Sequence, residues 1–277
     1  MFGGMRRSAG GRPGRPGKGG CSGRIFLALI MLAVAFISYY GSTKTELNEY
    51  TGEEQRIPKE MTPEMEIAMG LQAVDPMKQQ HGGDHPDQGL QRQIDQIGAR
   101  LLASVGETPY KFEFHLLRDP DTINAFALPG GQVFMTYGLY KMLPGEDEVA
   151  GVIGHEIGHV IGRHSAEQIA VRMRNAGIGQ AAGVLVSENG QNAAVAGMVN
   201  QMLTTRYGRE DEYQADSLGV QIMIAAGYNP EGLIGVMKVL EQASGGARQP
   251  EFMSTHPNPG NRAARIKELI AKYGKPH

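Results

Sequence analysis

The chain has 277 residues, 41% of them hydrophobic, enough for one large domain or two small ones and too much for a disordered polypeptide. Its formal net charge is −2, yet Arg6, Arg7, Arg12, Arg15, Lys18 and Arg24 fall in the first 24 positions with no acid, leaving 21 bases against 29 acids in the remainder, a balance that speaks against nucleic-acid binding. The single cysteine, Cys21, excludes an intrachain disulfide and any thiolate-rich zinc site, so a metal would have to be held by His, Asp or Glu.

Residues 1–24 are rich in Gly, Arg and Pro, lack the apolar spacing of a core, and read as a disordered basic arm. The run IFLALIMLAVAFISYY that follows, residues 25–40, is uncharged. At about 1.5 Å per residue it spans roughly 24 Å, and counting from Cys21 to Gly41 with Arg24 snorkelling makes one bilayer crossing reasonable. It is a membrane anchor or a signal peptide. The exit Ser38-Tyr39-Tyr40-Gly41 puts bulky rings where a cleavage site needs small side chains, which favours an uncleaved transmembrane anchor over residues 25–41. A buried core helix is disfavoured by the adjoining basic arm. By the positive-inside rule the arm stays cytoplasmic, and one soluble domain, residues 42–277, lies outside the cytoplasm, in the periplasm of a Gram-negative cell.

Within that domain TPEMEIAMGLQAV (62–74) and QGLQRQIDQIGARLLASV (88–105) show helical apolar spacing, with HGGDHPD (81–87) a loop between them. YKFEFHLL (110–117) alternates Phe112, Phe114 and Leu116 on one face and reads as a strand; NAFAL, PGG, QVFMT (124–136) reads as strand, turn, strand. A small sheet is thus expected among helices. EDEVAGVIGHEIGHVIGRHS (146–165) opens with acids, contains no proline and predicts one helix. Residues 176–203, rich in Gly, Ala and Val but broken by Gln and Asn, are expected to form a small-residue helical hairpin near or over the cleft. NRAARIKELIAKYG (261–274) is again an amphipathic helix.

On the 146–165 helix, His155 and His159 stand one above the other and offer both imidazoles to one ion, while Glu156 reaches toward a metal-bound water. Gly151, Gly154, Gly158 and Gly162 recur every three or four residues, each costing about 0.5–1 kcal/mol relative to alanine, which makes sense where another backbone approaches closely. A catalytic zinc wants a third protein ligand and an open position. His164 is one option, but the metzincin pattern His-Glu-x-x-His-x-x-Gly-x-x-His would put its last histidine at Ser165, one residue later. The other is YGREDEYQAD (207–216), where Glu212 and Asp216 are four apart on an expected helix. Glu212 would ligate, and Asp216 would accept a hydrogen bond from a ligand imidazole and fix its tautomer. His81, His85 and His115 are assigned to loop or strand surface.

Four blocks together resemble the gluzincin zinc metallopeptidases, the family of HtpX, BepA, LoiP and the CAAX prenyl endopeptidases. They are NAFALPGGQVFMTYGLY (124–140), HEIGHVIGRHS (155–165), Glu212-Tyr213-Gln214-Ala215-Asp216, and STHPNPGNR (254–262). The resemblance covers most of residues 62–270 and looks closest to compact members with one protease domain. It implies an α+β fold, a mainly helical zincin of the minigluzincin-like kind with a small β-sheet, here preceded by one transmembrane helix. It also implies that His155, His159 and Glu212 bind one Zn²⁺, that Glu156 is the catalytic base, and that Asp216 supports a ligand from behind. Gly208, where many relatives have serine, is a departure that leaves that position's role open.

The implied activity is that of a membrane-anchored zinc endopeptidase of extracytoplasmic protein quality control, with extended or unfolded polypeptides as substrates. The strand Gln132, Val133, Phe134 and Met135 is expected to pair with such a substrate by β-addition. His256 is a catalytic candidate, either stabilising the oxyanion or taking the open zinc position in a resting form, with a plain loop residue as the alternative. A zinc-stabilised chaperone or assembly factor with little proteolysis is the competing function. A prenyl-peptide processor is weaker, because those relatives enclose a lumen with many helices.

Overall fold

The computed structural model describes residues 20–182, 206–245, 250–257 and 261–274, with side chains from Leu29 onward in the first helix and up to Ala176 in the helix that ends at Ala182. Helix α1, Gly20–Ser42, leads without a linker into a hairpin of β1, Thr43–Leu47, and β2, Glu54–Pro58. The last residues assigned to the basic arm, from Gly20, are therefore helical; residues 1–19 lie outside the described residues. Among the described residues no helix is long and apolar enough to cross a membrane. The β1–β2 hairpin has no counterpart in the sequence reading.

Helices α2, Pro63–Gln80, and α3, Gln88–Val105, start where side chains satisfy their free amides. Thr62 accepts from the Met65 amide, and Asp87 from those of Gly89 and Leu90. A three-stranded sheet follows: β3, Glu113–Leu117, β4, Ala125–Leu128, and β5, Gln132–Thr136, in the order β3-β5-β4, with β3 parallel and β4 antiparallel to β5. The turn between β4 and β5 needs glycine, because Gly130 has φ 82° and an added Cβ would meet Ile67 Cα of α2 at 2.3 Å.

A short α4, Tyr137–Tyr140, precedes α5, Glu146–Ile161; then come α6, His164–Ala182, α7, Arg209–Ala225, α8, Glu231–Ser244, α9, Glu251–Thr255, and α10, Arg262–Tyr273. Every residue of α5 from Val149 to Ile161 is buried. Packed between α7, α8, α3 and the sheet, it is the axis of the core. Its glycines are contact points. An added Cβ at Gly158 would lie 2.9 Å from Ala215 O in α7, and one at Gly151 would lie 3.1 Å from the Leu233 backbone in α8. Across the same seam Gly219 of α7 brings its Cβ direction to 3.2 Å from the His155 amide nitrogen.

The helix expected over 146–165 is two helices. It ends at Gly162 because Arg163 takes φ 56°, a left-handed conformation that turns the chain, and α6 starts afresh at His164. The guanidinium of Arg163 is held by Glu66, by Glu46 and by the Met61 carbonyl, contacts that compensate the strain. The small-residue hairpin expected over 176–203 lies outside the described residues, apart from the last turns of α6.

Candidate metal centre

His155 and His159 leave α5 on one face, as their spacing requires, and Glu212 enters from the first turn of α7, where the glycine seam lets that helix come close. His256, just after α9, closes the group. All four are buried, and one ligand atom from each lies within 4.8 Å of the others. The Nε2 atoms of His155 and His159 are 3.0 Å apart. Glu212 Oε2 lies 3.5 Å from His155 Nε2, Glu212 Oε1 lies 3.6 Å from His159 Nε2, and His256 Nδ1 lies 3.0 Å from Glu212 Oε1 and 3.4 Å from His155 Nε2. Of the three options for His256, the geometry puts its Nδ1 among the donors.

The electrostatics of this cluster suit a cation. His155 Nδ1 faces Asp216 Oδ1 at 3.0 Å and donates to it, which turns Nε2 toward the cluster, where a metal would take the place of its proton. Burial lowers the His155 imidazole, but the hydrogen bonds to Asp216 and Glu212 and the charges of those carboxylates outweigh it and push it up to about 9. Burial, with the positive charge of His155 next, drives His159 well below its ordinary value. Burial raises the Glu212 carboxyl, yet the charge of His256 and hydrogen bonds from His155 and His256 hold it well below the usual carboxylate range. Three imidazoles and a carboxylate thus converge on one point. His, His, Glu and His are donors that a divalent cation takes.

Glu156 projects beside the cluster, 3.6 Å from His256 Nε2, fully buried and with neither carboxylate oxygen in a well-formed hydrogen bond. Burial raises its carboxyl against the pull of His256, His155 and the Ala127 amide on β4. A buried acid left this free has a reason to be there other than packing. A crevice too narrow to admit a water molecule lies beside His159, bordered by Glu66, Ala127, Leu128, Arg163, Ser165 and Tyr207.

Several assignments from sequence change. The strand Gln132, Val133, Phe134 and Met135 is β5, which is hydrogen-bonded on both edges, and all four side chains are buried, so it offers a substrate neither edge nor face. Gln132 spends its side chain on His115 Nε2 at 2.9 Å. The strand beside α5 with an outer edge unpaired among the described residues is β4. His164 does not join the ligands; its Nδ1 lies 2.8 Å from His159 Nδ1, behind the ring that faces the cluster. His81 is buried rather than on a surface, 3.1 Å from Asp119 Oδ2, while His85 and His115 are half-buried.

Three residues that support the centre have no role assigned from sequence. Tyr207 stacks on the His159 ring at 4.0 Å and reaches Ser165 Oγ at 3.1 Å. Arg262, 1% exposed, forks onto Asp216 at 2.8 and 2.7 Å and touches Glu212 Oε2 at 2.7 Å. Its one cue was its place at the end of STHPNPGNR. Asn48 is the third: with Gln55 on the hairpin, it caps the end of α5 by donating to the Ile161 carbonyl at 2.9 Å, while Gln55 takes that of Gly162.

A buried helix that turns two histidines and a free glutamate toward one point, crossed by a second helix that adds a carboxylate, defines a metallopeptidase. The family model for "Peptidase family M48" matches residues 88–270, and the chain belongs to that family. It is 31% identical over 212 residues to the Beta-barrel assembly-enhancing protease of Escherichia coli O157:H7, covering 72% of this chain and 43% of that protein. It is 34% identical over 178 residues to the Mitochondrial metalloendopeptidase OMA1 of Schizosaccharomyces pombe, covering 64% and 52%, and 27% over 192 residues to Metalloprotease YcaL of Escherichia coli K12, covering 65% and 70%. The chain spans about half the length of the first two relatives.

Proposed function

We propose that this chain is a membrane-anchored zinc endopeptidase that hydrolyses peptide bonds in unfolded or misassembled proteins outside the cytoplasm. The observation that carries the reading is the convergence of His155, His159 and Glu212 beside a buried Glu156 whose carboxylate makes no well-formed hydrogen bond. His155, His159 and Glu212 would hold one Zn²⁺, and Asp216 fixes the His155 tautomer. Zinc held there supplies an electrophile for the scissile carbonyl and a bound water acid enough to ionise near neutral pH. Glu156 is the base: it takes the proton from the attacking water and returns it to the leaving amine, a task that suits a carboxyl raised by burial. His256, whose Nδ1 lies among these donors, would be available as a further ligand to the ion.

An extended substrate would pair along the outer edge of β4, whose Ala127 and Leu128 stand close to His159. Edge pairing reads backbone, so it favours chains that are unfolded. The quality-control role is supported by the name of the bacterial Beta-barrel assembly-enhancing protease. The anchor is supported by the uncharged run 25–40 and by Leu29, Val34, Phe36 and Ile37, all exposed on α1.

Glu156→Gln tests the reading directly. The variant is expected to retain wild-type zinc content and lose cleavage of unfolded casein by at least about a hundredfold. A variant that cleaves casein at the wild-type rate, or wild-type protein that takes up no zinc, refutes it. For the anchor, the full chain is expected to stay in the membrane fraction after alkaline washing, and a chain starting at Ser42 to be released.

A further inference from the structure

We propose that His164 is a positioning residue for His159, and that a hydrogen-bonded relay from Glu53 through Gln214 and His164 fixes which nitrogen of His159 is free to bind metal. The inference rests on the zinc reading above. At the start of α6, His164 is wholly buried with its Nδ1 2.8 Å from His159 Nδ1. Its Nε2 lies 3.1 Å from Gln214 Oε1, and Gln214 Nε2 lies 2.7 Å from Glu53 Oε2.

The polarity of this chain is set from its far end. Glu53 sits in the loop between β1 and β2, and an ionised carboxylate only accepts hydrogen bonds. It therefore turns the NH₂ of Gln214 toward itself and the amide oxygen toward His164. That oxygen requires a proton on His164 Nε2, which leaves His164 Nδ1 as an acceptor. His159 must then carry its own proton on Nδ1, and its Nε2 lone pair is aimed at His155, Glu212 and His256. Reversing any one proton sets two donors or two acceptors face to face. A side-chain amide does not pass protons along, so the relay orients and does not conduct.

The local backbone is shaped for this contact. A Cβ at position 162 would lie 2.6 Å from His164 Nε2, so glycine is required there. The left-handed Arg163 then folds His164 back beneath α5, and the guanidinium of Arg163 is tied down by Glu66 and the Met61 carbonyl. Asp216 performs the equivalent service for His155 at 3.0 Å, so each imidazole donor on α5 has its own orienting partner.

The test measures zinc affinity of the full chain by competition with a chromophoric chelator, records the visible spectrum of the cobalt(II)-loaded protein, and follows melting of the metal-free protein. His164→Leu is expected to weaken zinc binding about 10- to 100-fold and to alter the cobalt spectrum. His164→Asn, whose amide oxygen can still accept from His159 Nδ1, is expected to recover most of that affinity, and Gln214→Leu to weaken it with metal-free melting unchanged. Wild-type affinity and spectrum in His164→Leu overturn the inference, as does an equal loss in the Leu and Asn variants that tracks a lowered metal-free melting point. Should His164→Leu not fold, Gln214→Leu decides: weaker zinc binding supports the relay and wild-type binding overturns it. Wild-type protein without zinc uptake sinks the function as well, whereas failure in the variants alone sinks only the relay.

Discussion

Arg262→Met removes the cation on which the buried acids of the centre depend. The guanidinium makes two hydrogen bonds to Asp216, at 2.8 and 2.7 Å, and an ion pair with Glu212 at 2.7 Å. Methionine fills most of the volume and supplies none of the charge. Taken singly, two charge-assisted hydrogen bonds at about 1.5–3 kcal/mol each plus the ion pair would overstate the loss. A buried pair broken from one side costs about 3–5 kcal/mol, because the orphaned carboxylates take up protons. For a domain of this size that corresponds to a melting point roughly 6–20 °C lower. Arg262→Lys keeps a charge but not the fork, so its loss falls between wild type and Met. The pH dependence gives a second check. Burial raises the Asp216 carboxyl and the Arg262 charge pulls it below its ordinary value. A depressed carboxyl stabilises the fold above its unfolded pKa of about 4, and that contribution fades as pH falls through the folded value. Urea denaturation of the metal-free proteins should show the largest gap between wild type and Arg262→Met near pH 7 and a smaller one near pH 4. A loss under about 1 kcal/mol at pH 7, or a gap that widens in acid, would refute the reasoning.

The α5–α7 seam is tested by Gly158→Ala: the added methyl meets Ala215 O at 2.9 Å, so despite alanine's better helix propensity the variant should lose about 1–3 kcal/mol in thermal denaturation, and its zinc content should fall as Glu212 moves off. Asn48→Ala leaves the Ile161 carbonyl without its side-chain donor and should cost about 1–3 kcal/mol by urea denaturation, with a larger fall in casein cleavage than in fluorescence of the folded state. Glu167 has its carboxyl pushed up to about 7 by burial and then by the negative charges of Asp211 and Glu53. A raised acid stabilises fully below its unfolded pKa, and that contribution is lost as pH rises through about 7. Glu167→Gln should therefore melt higher than wild type at pH 8 and show no gain at pH 4. The half-exposed setting of Glu167 keeps the effect under about 1 kcal/mol.

What the sequence disclosed and what it hid follow one physical division. Side chains four apart on a helix share a face whatever surrounds them, so His155, His159 and Glu156 could be placed from spacing alone, and the glycines between them announced a backbone neighbour. Strand character was equally local, but strand order was not: nothing in QVFMT says that β3 and β4 lie on either side of it, and the substrate strand was misassigned for that reason. Arginine is so seldom buried that the motif ending at Arg262 carries no sign of an interior role, since its burial depends on Asp216 and Glu212 arriving from another helix.

The break at Arg163 was the least legible feature, because no proline or Asn-Gly marks it and its partners, Glu66, Glu46 and the Met61 carbonyl, come from about a hundred residues earlier. That break also explains the near miss with the metzincin pattern. On an unbroken helix His164 would sit past the reach of the ion; with the chain turned left-handed at Arg163 its ring comes back under His159 and meets Nδ1 instead of the metal. One residue of register and one positive φ thus separate a third ligand from a residue that aims the second, and Glu212, on α7 across the glycine seam, is left to complete the site.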